Sequence, residues 1–317
     1  MCSGSRPGGR SGPGRYTREV TAPAASLIDG RAIAEAVAQE TAASVAAHVA
    51  RGHPAPHLAA VLVGDDAASA TYVRNKGRAC ERVGMTHETL ALPASTTQAE
   101  LLAHVRRLND SARVSGILVQ MPLPAHVDAG AVMSAVDPGK DVDGLHPVNM
   151  GRLLAGAPGL VPATPSGVRE LLLRSGHDPS GRRVVIVGRS VLVGRPLAAL
   201  LATKAAGANA TVTLAHTGTR DLGAVTREGE ILVVAAGRAG IVTAAMVRPG
   251  AVVIDVGTNR VEDPSARRGY RLTGDVDFGG VSQVAEALTP VPGGVGPMTI
   301  AMVVRNTLLA ARAAAGS

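Results

Sequence analysis

Val184-Val185-Ile186-Val187-Gly188-Arg189-Ser190-Val191-Leu192-Val193-Gly194-Arg195-Pro196 is an apolar, β-branched run that breaks on one glycine and reaches a second just before Arg195-Pro196. A buried strand that enters a glycine turn and then a helix turns free backbone N–H groups and the positive end of the helix dipole outward, which is a receptacle for anions. The spacing is G-x-S-x-x-x-G rather than G-x-G-x-x-G, so an ordinary βα turn is the competing reading of the motif alone. Further strands are predicted over 211–214, 231–235 and 252–256, with a helix over 194–201. Strand and helix alternating at this spacing predict βαβ units and a parallel, doubly wound sheet. The strand over 211–214 runs out at Ala215-His216-Thr217, with no carboxylate where an NAD site usually holds the ribose hydroxyls. A cation in the turn, Arg189, and no acid at that strand end suit a 2′-phosphate, hence NADP rather than NAD.

The same alternation precedes this stretch. An Ala-rich helix is predicted over 33–50, a short buried strand over 57–64 (HLAAVLVG) and a helix over 67–83 that stops at Gly84. A helix over 98–109 puts Leu101, Leu102, Val105 and Leu108 on one face, and VSGILVQ (114–120) is a strand closed by Met121-Pro122-Leu123-Pro124. Beyond it, a helix is predicted over 166–175, and the last helix, over 298–314, follows the Gly/Pro segment TPVPGGVGPMT (289–299). Proline fixes φ and glycine permits positive φ, so that segment is a shaped loop. It either turns a corner or brings its backbone close to a flat ligand, and Pro297 suits the first turn of the helix behind it.

The chain has 317 residues, 46% of them hydrophobic, enough for two domains and a full core. No apolar run reaches membrane-spanning length without a Gly, Pro or charge, so no membrane partner is expected. Cys2 and Cys80 are the two cysteines, and a structural disulfide is not expected, which fits a reducing, cytoplasmic setting. Residues 1–25 are rich in Gly, Ser, Pro and Arg and lack hydrophobic periodicity, so a disordered extension is expected there, with an organelle address as the other reading. The net charge is +7, part of it from that extension. Nucleic acid or anionic small molecules would both explain a basic chain, but no Trp, one Phe and three Tyr leave few platforms for stacking bases, so no nucleic-acid partner is expected.

Several polar residues interrupt the apolar elements. Tyr72 and Lys76 are four apart on a predicted helix and share a face, just past the end of a strand, where open α/β sheets hold their ligands. An exposed pair of helix neighbours is the plainer reading of that spacing alone. Gln120 ends its strand ahead of two prolines; its amide either faces whatever lies above the sheet or caps the loop backbone. Asp141 and Asp143 alternate in Lys140-Asp141-Val142-Asp143-Gly144, so one can hold the loop while the other faces a ligand. The neighbouring residues supply no further oxygen side chains, so no metal is expected. Asp275 and Asp277 are expected to serve loop structure. His53 and His57, separated by prolines, are read as surface loop residues rather than zinc ligands.

Eight segments in order carry a resemblance: TYVRNKGRAC (71–80), GILVQMPLP (116–124), KDVDGLHPVNMGRL (140–153), TPSGV (164–168), VGRSVLVGRP (187–196), ATVTLAHTGT (210–219), GAVVIDVGTN (250–259) and TPVPGGVGPMTIAM (289–302). From about Ile28 to Leu309 the chain resembles the bifunctional methylenetetrahydrofolate dehydrogenase/methenyltetrahydrofolate cyclohydrolase family. The resemblance implies Lys76 as the general acid/base, Tyr72 stacking on the folate, Gln120 bonded to Lys76 and Asp143 anchoring the pterin. It implies Pro292, Gly293, Gly294 and Pro297 along the folate pocket, and Gly188, Arg189, Ser190 and Gly194 at the NADP phosphates, with His216 and Thr217 at the neighbouring strand end. Ala163 stands where the family often has Cys, a thiol with no expected chemistry.

The implied fold is two α/β domains flanking a cleft: residues 26–147 plus 297–317 on the folate side, and 148–296 as a Rossmann-like, doubly wound NADP side. The implied activity is oxidation of 5,10-methylenetetrahydrofolate with NADP, then hydrolysis to 10-formyltetrahydrofolate, by a homodimer. Another Rossmann dehydrogenase acting on a small acid would explain residues 184–256 but leaves the Tyr-Lys, Gln-Pro and Gly-Pro segments idle.

Overall fold

The computed structural model describes Met1 and residues 25–157, 159–266 and 269–316. The extension expected over 1–25 lies, apart from Met1 and Ala25, outside the described residues. The chain enters through a two-residue strand, β1 (Ser26–Leu27), and a long helix, α1 (Gly30–Ala50). Asp29 caps that helix, its carboxylate accepting from the Arg31 and Ala32 amides, which have no partner within the helix.

Then come β2 (His57–Val63), α2 (Ala67–Arg82), β3 (Thr86–Leu92), α3 (Gln98–Asp110) and β4 (Gly116–Val119). The three strands pair in parallel in the order β3-β2-β4. Every residue of β2 is buried, because helices cover both of its faces. Leu58, Ala60 and Leu62 join the cluster of Val37, Val73 and Met302. Ala59, Val61 and Val63 join Leu101, Val105 and Leu108 on the other side. This is the two-residue period of a strand dividing its side chains between two layers.

Three helices, α4 (Ala129–Ala135), α5 (Pro147–Leu154) and α6 (Ala163–Arg174), lead to the larger sheet. There β5 (Arg183–Val187), α7 (Gly194–Ala202), β6 (Thr211–Ala215), α8 (Leu222–Thr226), β7 (Ile231–Val234) and β8 (Val252–Asp255) follow in turn. An antiparallel hairpin, β9 (Asn259–Glu262) with β10 (Tyr270–Thr273), comes next. A short helix α9 (Phe278–Val281), a short strand β11 (Ala287–Leu288) and the final helix α10 (Val295–Ala314) complete the chain. The six-stranded sheet has the order β1-β11-β8-β7-β5-β6 with every pairing parallel. β5 sits where the order reverses, with β6 on one side and β7 on the other, and ligands of open α/β sheets bind at such a point.

The predicted α/β class and parallel doubly wound sheet are both present. Helix α10 packs on α6, α1 and α2. Its Met298, Met302 and Val303 lie in one continuous core with Leu58 of the small sheet and Ile186 of the large one. Several elements were not anticipated from sequence, among them β3, the β9–β10 hairpin and the short helices α4, α5, α8 and α9. β3 (THETLAL) is an edge strand of alternating exposed and half-buried residues, so it carries no apolar run to betray it. His57 corrects an expectation. It is 1% exposed, not a surface loop residue, because it opens β2 and pairs with Thr86 of β3, whose hydroxyl lies 2.7 Å from its Nδ1.

Candidate active site

Helix α2 starts at Asp66, whose carboxylate accepts from the Ser69 amide at 2.7 Å. That start directs the helix away from the C-terminal edge of the small sheet and puts Tyr72 and Lys76 one turn apart. Tyr72 is 39% exposed and Lys76 only 6%. The Lys76 ammonium donates to Gln120 Oε1 at 3.2 Å. Gln120 is placed by β4, which ends one residue before it, and its backbone N–H donates to Val61 O at 2.9 Å. Its side-chain Nε2 donates to Met121 O at 2.7 Å. Only the amino end of an amide can donate to a carbonyl, so the oxygen end faces Lys76.

Of the two alternating aspartates, Asp141 is the one that holds the loop. It is buried and accepts from the His146 amide at 2.7 Å and from Asn149 Nδ2 at 2.9 Å. Asp143 lies close enough to Lys76 for the two charges to interact. Burial pushes that carboxyl above the usual carboxylate range, the Lys76 ammonium draws it back, and Asp141 adds to the rise. Gly144, at φ +71°, follows immediately; a Cβ there would run into the Val161–Pro162 backbone.

A cleft of about 1080 Å³ adjoins this group, bordered by Tyr72, Pro292, Gly293, Gly294 and Pro297. The Gly/Pro segment does two things here. It lines the cleft, and it turns a corner so tightly against α1 that a Cβ on Gly30 would run into the Gly294 carbonyl. Gly293 takes φ +120°. Lys76, Gln120 and Asp143 do not border the cleft; Lys76 lies one helical turn behind Tyr72, on the same helix. Across the cleft stand Asp255, Gly257 and Thr258 at the end of β8, and Arg260 stacked at 3.9 Å over the Tyr270 ring. The C-terminal edges of both sheets thus meet at one opening.

The turn after β5 is built by backbone. Gly188 takes φ +127°, and a Cβ there would run into Ala235 O; a Cβ on Gly194 would run into Gly188 O. Ser190 Oγ accepts from the Val193 amide at 3.1 Å, which ties the turn to the start of α7. Arg189 and Ser190 are exposed. The adjacent strand end is close, since the Gly188 amide donates to Ala215 O at 2.8 Å. His216 Nδ1 accepts from the Gly218 amide at 3.0 Å, and Thr217 is exposed beside it. Gly188, Arg189, Ser190, Gly194, His216 and Thr217 are thus brought together at the switch point. A turn with no room for side chains, a helix start and no carboxylate at the end of β6 fit a dinucleotide that carries an extra phosphate.

Sequence reading assigned no role to Asp255. It is 4% exposed and accepts from the Gly257, Asp275 and Val276 amides at 3.0, 2.9 and 3.0 Å. Asp275 is fully buried and accepts from the Ala236 and Gly237 amides and from Asn259 Nδ2. Together they knit the ends of β7 and β8 to the segment after β10. Burial pushes the Asp255 carboxyl up to about 6, against the pull of its N–H donors. An acid ending a buried strand in VVID was the available signal. Among the described residues, no group of three or more His, Cys, Asp or Glu is placed to hold a metal ion. No helix among them is long and apolar enough to cross a membrane.

Comparison with known proteins places both halves. The family model described as "Tetrahydrofolate dehydrogenase/cyclohydrolase, catalytic domain" matches residues 28–143, and that described as "Tetrahydrofolate dehydrogenase/cyclohydrolase, NAD(P)-binding domain" matches 162–315. The bifunctional protein FolD of Salinibacter ruber is 55% identical over 293 residues, covering 92% of this chain and 98% of its own. That of Rhodopirellula baltica is 51% identical over 304 residues, covering 92% and 99%. Among solved structures, the N5,N10-methylenetetrahydrofolate dehydrogenase-cyclohydrolase of Trypanosoma brucei, complexed with NADP cofactor and inhibitor, superposes with a TM-score of 0.88. It is 42% identical, covering 93% of this chain and all of that one.

Proposed function

The chain belongs to the tetrahydrofolate dehydrogenase/cyclohydrolase family, and on that premise we propose how its residues divide the work of two successive reactions. The first oxidises 5,10-methylenetetrahydrofolate to the methenyl form with NADP; the second hydrolyses that product to 10-formyltetrahydrofolate. NADP, when bound, supplies the acceptor for the hydride that leaves the one-carbon bridge. The protein's part in that step is alignment. Gly188, Ser190 and Gly194 give the cofactor's phosphates a backbone cradle, Arg189 meets the 2′-phosphate, and His216 and Thr217 border it at the end of β6. Tyr72 stacks on the folate, Asp143 holds the pterin, and Pro292, Gly293, Gly294 and Pro297 shape the opposite wall.

The second reaction needs proton transfer. Water adds to the methenyl carbon and loses a proton; the remaining hydroxyl then gives up its proton as the carbonyl forms and the bond from that carbon to N5 opens, and N5 takes up a proton, so that one proton is released overall. Lys76 is the group that exchanges those protons, and Gln120 and Asp143 hold it. The observation that carries this reading is the buried Lys76 ammonium donating to Gln120 Oε1, with the Gln120 amide oriented by Met121 O. A spectral time course with methylenetetrahydrofolate and each nicotinamide tests it. Wild-type protein is expected to reduce NADP while the methenyl absorbance stays low; in Lys76→Met the methenyl band is expected to build up. A variant that clears methenyl at the wild-type rate would reject the role of Lys76.

The same reading assigns 26–147 with 297–317 to the folate side and 148–296 to the NADP side. It also makes the protein a cytoplasmic homodimer, and sedimentation at working concentration reads the oligomeric state.

A further inference from the structure

The loop after β7 is built around a side chain that neither proposed reaction uses. Asp275 is fully buried, and its Oδ2 accepts from the Ala236 and Gly237 amides at 2.6 and 2.8 Å. Its Oδ1 accepts from Asn259 Nδ2 at 2.8 Å, so three donors fix the carboxyl in place. The backbone adds to the hold. The Val242 amide donates to Asp275 O at 3.2 Å, and the Asp275 amide donates to Asp255 Oδ1 at 2.9 Å.

That carboxyl stands between the two surfaces that face ligands. On one side, the loop it holds lies directly against the turn after β5. The Ala235 amide donates to Val187 O at 2.7 Å, and a Cβ on Gly188 would run into Ala235 O. On the other side is Gly257, which borders the cleft, and a Cβ there would run into the Asp275 carboxyl itself. Glycine at both contacts brings backbone close with nothing to cushion it, so a displacement of Asp275 is passed to both surfaces.

Resting on the folate and NADP reading above, we propose that Asp275 is a positioning residue for hydride transfer, which sets the spacing between the cofactor turn and the cleft wall at Gly257. Hydride transfer tolerates little error: the reacting atoms must lie about 3–3.5 Å apart, and a shift of about 1 Å costs on the order of 10²-fold. Proton exchange at Lys76 rests instead on α2 and the end of β4. The N–H groups assigned to the phosphates belong to the turn and to α7, so loosening Asp275 leaves those donors in place. Asp275 therefore governs the rate of one reaction far more than the binding of either ligand.

The test follows Asp275→Ala and Asp275→Asn. In the alanine variant, kcat for oxidation of methylenetetrahydrofolate is expected to fall about 30-fold, while NADPH affinity, read by fluorescence titration without folate, stays within about threefold. Hydrolysis of supplied methenyltetrahydrofolate, run without NADP, is expected to stay within about twofold, which also shows that the variant is folded. Asp275→Asn keeps an oxygen for Ala236 and Gly237 once Asn259 turns its own amide round, and is expected to return oxidation to within about threefold of wild type. Should Asp275→Ala not fold, Asn259→Ala, which cuts only the lateral tie, is expected to show the same split at about fivefold. Unchanged oxidation, oxidation and hydrolysis lost in equal measure, or NADPH affinity lost in proportion to kcat overturns the proposal and leaves the folate reading intact. Wild-type protein that reduces neither nicotinamide with methylenetetrahydrofolate would instead remove that reading.

Discussion

The two sheets present different materials to the ligands proposed for them. At the edge of the small sheet, the groups that matter are side chains: a buried ammonium, an oriented amide and a carboxyl pushed up by burial. At the switch point of the large sheet they are backbone atoms, exposed by glycines that leave no room for a Cβ. The difference follows from the two tasks. Moving a proton requires a titratable group held in place, whereas cradling phosphates requires N–H groups and an unobstructed approach. The first site should therefore fail when chemistry is removed at constant shape, the second when shape is added at constant chemistry.

Lys76→Met tests the first half most severely. It should lower cyclohydrolase turnover by on the order of 10²–10⁴-fold, the usual contribution of a positioned acid/base, while hydride transfer falls by less than about tenfold. Equal losses in both reactions, measured with methylene and methenyl substrates separately, would erase the distinction. Gly188→Ala adds one methyl group where φ is +127° and Ala235 O is in the way. The KM for NADP should rise on the order of 10²-fold, and hydrolysis of supplied methenyltetrahydrofolate should stay within about twofold. Arg189→Gln should reduce the preference for NADP over NAD by about tenfold, the scale of one lost charge-assisted contact; an unchanged ratio of kcat/KM values would show that another group reads the 2′-phosphate.

The smallest effect on turnover concerns Asp255, which acts on stability. Its folded carboxyl sits at about 6, above the ordinary value of 3.8. The folded state thus holds this proton more tightly than the unfolded chain. The contribution is fully present below the unfolded value and is lost as pH rises through about 6, by on the order of 3 kcal/mol. Denaturant unfolding from pH 4 to 8 should show this fall, and Asp255→Asn should flatten it. A profile unchanged by the substitution would place the titration elsewhere.

Much of this was legible beforehand for a physical reason. Strands buried on both faces are continuous apolar runs, and the run Val184 to Val187 ahead of the glycine turn lies wholly within β5. The edge strand β3 was invisible because half of its residues face water, and the β9–β10 hairpin because its polar sequence resembles a loop. Spacing alone could join Tyr72 to Lys76, which share a helix. It could not join Lys76 to Gln120, 44 positions away; the resemblance to a known family did that. The Asp255–Asp275 network stayed hidden because three separate segments build it, none with a pattern of its own.

Helix α10 contributes Met298, Met302 and Val303 to the core shared by both sheets, and it lines the cleft through Ile300 and Val304. It also leaves the ribosome after every strand of both sheets. Those strands emerge first and can pair as they are made, but their common core stays open to solvent until this helix follows. A nascent chain stalled before α10 should therefore expose a sticky apolar trough to chaperones and proteases, and removal of this one helix should cost the cell the whole enzyme rather than half of it.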